Sequence, residues 1–208
     1  MLSHYQYLVH NVRPISISPS DTVVGPRIGG NAPEGIVPPK TYSSTHYFVT
    51  IDLDEEDTQE VSLFTSLDYD EAGERSLYRN VSRVFSSEDF VQIITHPRGK
   101  RSDSASLASE LPGRALEIKP PVSDIIVQPG SELLLPNKIG GRPYFYYGTR
   151  SYIDSLNSLF DQGFVLFLQL TWGGYEKGVP SLWPFDEYTF HLLAKETPVG
   201  ISWRFGWG

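Results

Sequence analysis

The sequence predicts an α+β fold, in which many short strands and tight turns accompany two or three short helices. Its 208 residues include 18 Gly, 16 Pro and 13% aromatic side chains but only 20% charged ones, a composition typical of strands and turns. Several segments are rich in β-branched and aromatic residues, and two others combine a capping serine with apolar residues at helical spacing. The length suits one domain over residues 1–208, with possible internal halves 20–96 and 122–208 joined by a polar loop, 97–121.

Strands are predicted most clearly at three places. Thr45–Leu53 is rich in Tyr, Phe, Val, Thr and Ile, and Val61–Leu67 follows it after an acidic connection, so we expect the two to pair as a hairpin. Phe164–Trp172 is a nearly continuous apolar run, which indicates a central strand covered on both faces. The other strand candidates are Ile125–Val127, Glu132–Leu135, Glu187–Ala194 and Gly200–Gly208.

Helices are predicted at two places. Ser86 and the acidic residues after it precede the apolar group Phe90 to Ile94, which predicts a short helix that ends before Pro97. Ser151 caps a second helix, which Gly163 ends. The buried face of this second helix is predicted to consist of Tyr152, Ile153, Leu156, Leu159 and Phe160.

Two loops of similar sequence predict an internal repeat. The first is Arg27-Ile28-Gly29-Gly30, followed by Pro33, and the second is Lys138-Ile139-Gly140-Gly141, followed by Pro143. An aromatic-led strand follows each loop, and paired glycines permit a positive φ and a close backbone approach. We therefore assign the four glycines to structural turns of two pseudo-symmetric halves. Coincidence in a Gly- and Pro-rich chain is the alternative.

The second loop also carries a resemblance to a known family. The segment Leu135–Pro143, with its Lys-Ile-Gly-Gly-Arg-Pro sequence, followed by Phe164–Leu170, resembles the YwqG-like family of bacterial proteins, over residues 133–195. The resemblance implies a curved, mostly antiparallel sheet within an α+β fold and no established enzymatic activity. Family members often occur beside polymorphic toxin systems, such as those of type VI secretion or contact-dependent competition. The resemblance therefore implies a toxin-neutralising immunity role.

Charge and composition limit the function further. The net charge of −8 disfavours binding to nucleic acid and to anionic membranes, and it permits a basic protein partner. The absence of cysteine excludes disulfides, thiolate metal sites and cysteine nucleophiles. Met1–Arg13 lacks the charge and apolar pattern of a signal peptide, and the longest apolar run is far too short for a membrane span. We expect a cytoplasmic protein.

An acidic run is the most unusual local feature, since no basic residue occurs from Asp52 until Arg75. Such carboxylates can occupy a basic cleft, for example the active site of a nuclease toxin, and a solvated hairpin loop is the alternative interpretation. Asp57 stands where a calcium-binding EF-hand loop needs glycine, so no metal site is predicted. The predicted partner-binding residues are Asp52, Asp54, Glu55, Glu56, Asp57, Glu60, Asp68 and Asp70, with Trp172 and Tyr175 of a Trp-Gly-Gly-Tyr segment.

Catalytic motifs do not stand out in the sequence. The five histidines form no His-Glu-x-x-His pattern, and no Gly-x-Ser-x-Gly elbow or phosphate-binding loop is present. We therefore predict no catalytic residues, no cofactor and no enzymatic activity. The leading hypothesis is an immunity protein that binds a cognate bacterial toxin and occludes it. A small-molecule- or carbohydrate-binding enzyme with an aromatic pocket, and a structural component of a larger assembly, are the alternatives.

Overall fold

The computed structural model describes residues 11–39, 45–53, 58–66, 91–109, 111–123, 136–144, 150–171, 183–185 and 188–207. Within these ranges the elements are β1 (Asn11–Ile17), β2 (Arg27–Ile28), β3 (Thr45–Asp52), β4 (Gln59–Ser66), β5 (Val91–Pro97), β6 (Arg114–Ile118), β7 (Val122–Ser123), β8 (Lys138–Ile139), α1 (Arg150–Asp161), β9 (Val165–Leu170), β10 (Phe190–Thr197) and β11 (Gly200–Trp207).

The chain divides into two compact units. Unit 1 comprises Met1–Ser16, Ile118–Glu176 and Glu187–Gly208, and unit 2 comprises Ile17–Glu117 and Lys177–Asp186. The sequence suggested halves 20–96 and 122–208. In the structure most of β6, which the sequence placed in the connecting loop, belongs to unit 2, and most of β1 belongs to unit 1. Unit 2 is thus built on the consecutive strands β2 to β6, whereas unit 1 combines β8 to β11 with β7 and with β1 from much earlier in the chain.

Unit 2 contains an antiparallel sheet in the order β6-β2-β3-β4-β5. One face packs Tyr47 and Phe64 with Ala32 and Leu107 in a buried apolar cluster. The ring of Phe48 lies edge-to-face with two other buried aromatic rings, those of Trp183 and Phe185. The ring centroids of Trp183 and Phe185 lie 5.3 and 5.2 Å from that of Phe48. These contacts give unit 2 an apolar core.

Unit 1 contains a second antiparallel sheet, in the order β11-β10-β9-β8-β1, and β7 also pairs with β1. The helix α1 buries Tyr152, Leu156 and Leu159. It ends in a Schellman motif, since Gly163, at φ +86°, donates to Phe160 O and the next amide donates to Leu159 O.

The two glycine loops occupy equivalent places in their sheets. The amide of Gly29 donates to Phe48 O at 2.8 Å, and the amide of Gly140 donates to Phe167 O at 3.1 Å. Each accepting phenylalanine is the residue at which the pairing register of its strand shifts, as in a β-bulge. The series β2-β3-β4-β5 is therefore repeated by β8-β9-β10-β11, down to the bulge that follows each loop.

The predicted α+β class is wrong. Of the described residues, 50% lie in strands and 9% in α1, which is the one helix among them, and the strands pair as mostly antiparallel sheet. The second predicted helix is confirmed as α1. The first is wrong, because Val91–Pro97 forms β5, paired along its length with β4. Val91, Ile93, Ile94 and Thr95 are β-branched, and their fit to a paired strand outweighs the helical spacing.

The predicted polar loop 97–121 is also wrong in part. It contains β6, and it contributes the buried side chains of Leu107, Leu111 and Leu116. The burial of these leucines could not be predicted, because the segment is mostly polar and the leucines are spaced too widely to form a recognisable pattern.

The remaining strand predictions were mostly confirmed. The predicted hairpin is β3 and β4, the continuous apolar run is β9 between β8 and β10, and the last two predicted strands are β10 and β11. The candidates Ile125–Val127 and Glu132–Leu135 lie outside the described residues.

We predict that Gly29→Ala destabilises the chain by about 3 kcal/mol or more, because two penalties add. The glycine has φ +70°, and a Cβ there would lie 2.5 Å from Pro112 O. Gly35→Ala is the matched control, since φ is +74° and nothing lies within 4 Å of the added carbon. The free energy of unfolding of the control should fall only by the cost of the backbone conformation, about 1 kcal/mol. Equal losses for the two variants in urea unfolding would contradict this account of the turn.

Candidate functional site

A row of polar side chains crosses one face of the unit 2 sheet. Arg27 pairs in register with Thr50, and Thr50 with Ser62, so their side chains share a face. One step along the same face, Glu60 stands between Asp52 and His96. Six residues on this face are buried: Arg27, Tyr47, Thr50, Glu60, Ser62 and His96. We call these six residues, together with Asp52, the polar face.

Hydrogen bonds connect the polar face into a directed chain. The Tyr47 hydroxyl donates to Thr50 Oγ1 at 2.8 Å, and Thr50 Oγ1 lies 2.6 Å from Ser62 Oγ. Ser62 Oγ lies 2.7 Å from Nε2 of His96, and Nδ1 of His96 lies 2.7 Å from Pro97 O. A carbonyl can only accept, so Nδ1 carries a proton, and in the neutral ring Nε2 accepts from Ser62. Every hydroxyl then donates in the same direction.

The Ser62–His96 pair has the atoms of a nucleophile and a general base. Ser62 is fully buried, and its oxygen also contacts Thr50. A serine enclosed in this way satisfies buried polar groups rather than meeting a substrate. We therefore interpret the pair as a structural element of the polar face.

Burial and charge both act on Tyr47. Burial raises the pKa of its hydroxyl well above the usual value, and the Glu60 carboxylate raises it further, whereas the Arg27 guanidinium and the bond with Thr50 lower it. Tyr47 is thus a neutral donor throughout the ordinary pH range, placed where the charges of Arg27 and Glu60 are both felt.

Arg98 fixes the end of the polar face at the base of the β3–β4 hairpin. Its Nη2 lies 2.6 Å from Asp52 Oδ1, and its Nε lies 3.8 Å from Glu60 Oε1. Glu60 Oε2 also accepts from the amide of Gly99 at 3.2 Å, and the amide of Leu53 donates to Gln59 O at 3.1 Å. Both strand ends that flank the acidic connection are therefore held in place.

A second buried polar cluster lies in unit 1, around His191. Its Nδ1 lies 2.7 Å from the Tyr152 hydroxyl, and its Nε2 lies 3.0 Å from Tyr144 O. Because the carbonyl accepts, Nε2 carries the proton and Nδ1 accepts from the tyrosine. Burial, with a smaller effect from Lys138, lowers the pKa of His191 to about 3, against a bond to Tyr144 O that raises it. Burial also raises the pKa of Tyr152.

Gln169 connects this cluster to the second glycine loop. Its Oε1 accepts from the amide of Tyr144 at 2.6 Å, and its Nε2 donates to Pro136 O at 3.0 Å. Lys138, at the position equivalent to Arg27, donates from Nζ to Arg142 O within the same loop. The side-chain amide of Gln169 thereby holds both ends of the loop against β9.

The sequence-predicted site residues fall into three groups. The turn glycines Gly29, Gly30, Gly140 and Gly141 all lie in the left-handed region, with φ of 70°, 69°, 76° and 72°. Glu60 is fully buried and Asp52 is one-fifth exposed, so these two carboxylates face Arg98 rather than a partner. The other predicted binding residues lie outside the described ranges: Asp54, Glu55, Glu56, Asp57, Asp68, Asp70, Trp172 and Tyr175.

Sequence reasoning missed the polar face and the His191 cluster. The available signal was the alternation of polar residues within apolar strands, at Thr50, Ser62 and His191. The partners of these residues come from distant segments, and spacing does not reveal them.

In the part of the chain that the structure describes, no three side chains of His, Asp or Glu stand together as potential metal ligands. None of the described helices has the length and apolar character needed to cross a membrane.

Comparisons with protein-family models, curated proteins and solved structures found no match for this chain.

We predict that acid destabilises the chain through His191. The unfolded histidine binds a proton below about pH 6.5, whereas the folded one resists protonation until about pH 3. The contribution of His191 to the free energy of unfolding is fully present above pH 6.5 and is lost as the pH falls from there towards 3. The loss at pH 5 should be about 2 kcal/mol.

Urea unfolding at pH 8, 6.5 and 5 measures this loss. His191→Gln, which keeps one donor and one acceptor, should flatten the profile. Parallel profiles for wild type and His191→Gln would mean that His191 is not the acid-sensitive group.

We also predict that Ser62→Ala lowers the free energy of unfolding by about 1–3 kcal/mol, because it removes a partner from Thr50 and from His96 inside the core. Ser104→Ala, at an exposed serine, is the control and should change stability by less than about 0.5 kcal/mol. If both variants are equally stable, the hydrogen-bonded chain does not stabilise the fold.

Proposed function

We propose that this chain is a protein-binding protein of the immunity type, which acts in the cytoplasm and occludes a basic protein toxin through the acidic connection between β3 and β4. Four consecutive acidic residues, Asp54, Glu55, Glu56 and Asp57, make up this connection. The proposal rests on one observation, which is that Arg98 pairs with the flanking carboxylates at the base of the hairpin.

The pairing separates the acidic residues by role. Asp52 and Glu60 share the single positive charge of Arg98, whereas the sequence places no basic residue among residues 54–57. Four formal negative charges thus follow one another in the sequence, and they contribute to the net charge of −8. A concentrated field of this kind steers a basic partner and speeds its association.

The fixed base lowers the cost of binding. The hairpin continues from a seven-pair ladder into the Leu53–Gln59 hydrogen bond, and the amide of Arg98 also donates to Thr58 O. A connection held at both ends loses less conformational freedom on binding than a free segment would. This supports inhibition by steric and electrostatic occlusion, with no bond chemistry.

The partner is sought first in the gene directly upstream, since immunity genes accompany their toxins. We expect that expressing the upstream product alone arrests growth and that co-expressing this chain restores it, with a stable complex recovered from the cells. An upstream product that is harmless, or whose toxicity this chain does not relieve, would contradict the proposal.

The acidic connection is tested by the triple variant Asp54→Lys, Glu55→Lys and Glu56→Lys. We expect its association rate with the partner to fall about tenfold or more at low salt, with folding retained. The matched control reverses three exposed acids of unit 1, Asp154→Lys, Asp161→Lys and Glu196→Lys, which changes the net charge equally. Equal association rates for the two triple variants would show that position along the chain does not matter and that these acids are not the interface.

A further inference from the structure

Arg27 is a buried cation whose hydrogen-bonding capacity is only partly used. Its side chain is fully buried, and Nη1 donates to Gly25 O at 2.8 Å. Its Nε and Nη2 are also buried, and neither has a hydrogen-bond partner. Buried donors are almost always paired, so this guanidinium has two places to fill.

The two unpaired atoms form one edge of the guanidinium. The N–H groups of Nε and Nη2 point the same way, side by side, and this edge matches the two oxygens of a carboxylate in a bidentate pair. The remaining atom, Nη1, faces Gly25 and is already used. The unfilled edge is therefore the one best suited to an oxyanion.

Charge also calls for an anion at this edge. Among the described residues, the ion pairs join Arg98 to Asp52 and Glu60, and Arg101 to Asp21, and none involves Arg27. A buried charge without a counter-charge is costly, and an anion bound at short range would offset that cost.

The surroundings favour an anion with a single charge. The only cation on this part of the polar face is Arg27, and the neighbouring Tyr47 and Thr50 are neutral donors and acceptors. The Glu60 carboxylate and the Arg27 guanidinium both act on the Tyr47 hydroxyl, so Glu60 lies near enough for its field to oppose a second negative charge. A carboxylate meets these conditions, whereas a phosphate dianion does not.

We propose that the Nε and Nη2 edge of Arg27 binds the carboxylate group of a small monoanionic ligand. The equivalent position of unit 1 holds Lys138, whose Nζ donates within its own loop and which lacks the planar edge, so the site belongs to unit 2. The site is distinct from the acidic connection, and it stands whether or not this chain inhibits a toxin.

Acetate is the probe for the test, with inorganic phosphate and chloride as comparison anions at matched ionic strength. In the intact chain labelled with nitrogen-15, we expect the Nε–H resonance of Arg27 to shift saturably with acetate, and the melting temperature to rise by about 5 °C near saturation. Arg27→Lys keeps the charge but lacks the edge, so it should lose both responses. Arg13→Lys should keep them, because Nε of Arg13 contacts Lys119 O instead.

Several results would overturn the proposal. These are the absence of a saturable shift at Arg27, a response that stays linear to molar acetate, and phosphate binding as tight as acetate binding. In a crystal grown with acetate, water alone or a carboxylate of this chain itself on Nε and Nη2 would also overturn it. If Arg27→Lys does not fold, through-bond correlation from the Arg27 backbone identifies the resonance, and the wild-type titration decides.

Discussion

The hydrogen bond from a glycine amide to the carbonyl of a bulged phenylalanine is the contact on which both sheets depend. Gly29 makes it to Phe48, and Gly140 makes it to Phe167. Both glycines have a positive φ, and at Gly29 an added Cβ would also meet Pro112 O and Leu111 O, so glycine suits both places. The bulge it stabilises re-aims the strand, so that Tyr47 and Thr50 lie on the same face and can join in one hydrogen-bonded chain.

Buried polarity is the second constraint on this molecule. Each sheet carries polar side chains inside an apolar core, and each solves the problem with directed hydrogen bonds. In unit 2 the chain of donors ends on a backbone carbonyl through His96, and in unit 1 His191 is enclosed between Tyr152 and a backbone carbonyl. Arrangements of this kind specify one packing, because any slip in register leaves donors without acceptors. At Arg27 this solution is incomplete, since two of its three guanidinium nitrogens are buried without a hydrogen-bond partner.

Local pattern was enough to predict much of the sheet but not its fold class. Strands β3, β4, β9, β10 and β11 are rich in β-branched and aromatic residues or continuously apolar, and the sequence located each of them. The segment that became β5 has apolar residues at spacings shared by helices and buried strands, and only its pairing with β4 decides between them. β6 is a short strand in polar surroundings, and nothing local distinguishes it from a loop.

The site was less predictable than the fold for a related reason. Acidity along the chain is visible in the sequence, but the burial of Glu60 and its partnership with Arg98 depend on two strands meeting at a hairpin base. The side chains of Ser62 and His96 stand far apart in sequence and only 2.7 Å apart in the fold. The repeated glycine loops were readable because both the residues and their function as turns are local.

The membership of β1 in unit 1 has a consequence for synthesis on the ribosome. The strands of unit 2 come from one stretch of chain, so this sheet can form while later residues are still being made. β1 leaves the ribosome first, yet Arg13 pairs with Ile139, which is made much later. Until then the first strand has an open edge, and chaperone protection of this edge during translation would guard the nascent chain against pairing with its neighbours.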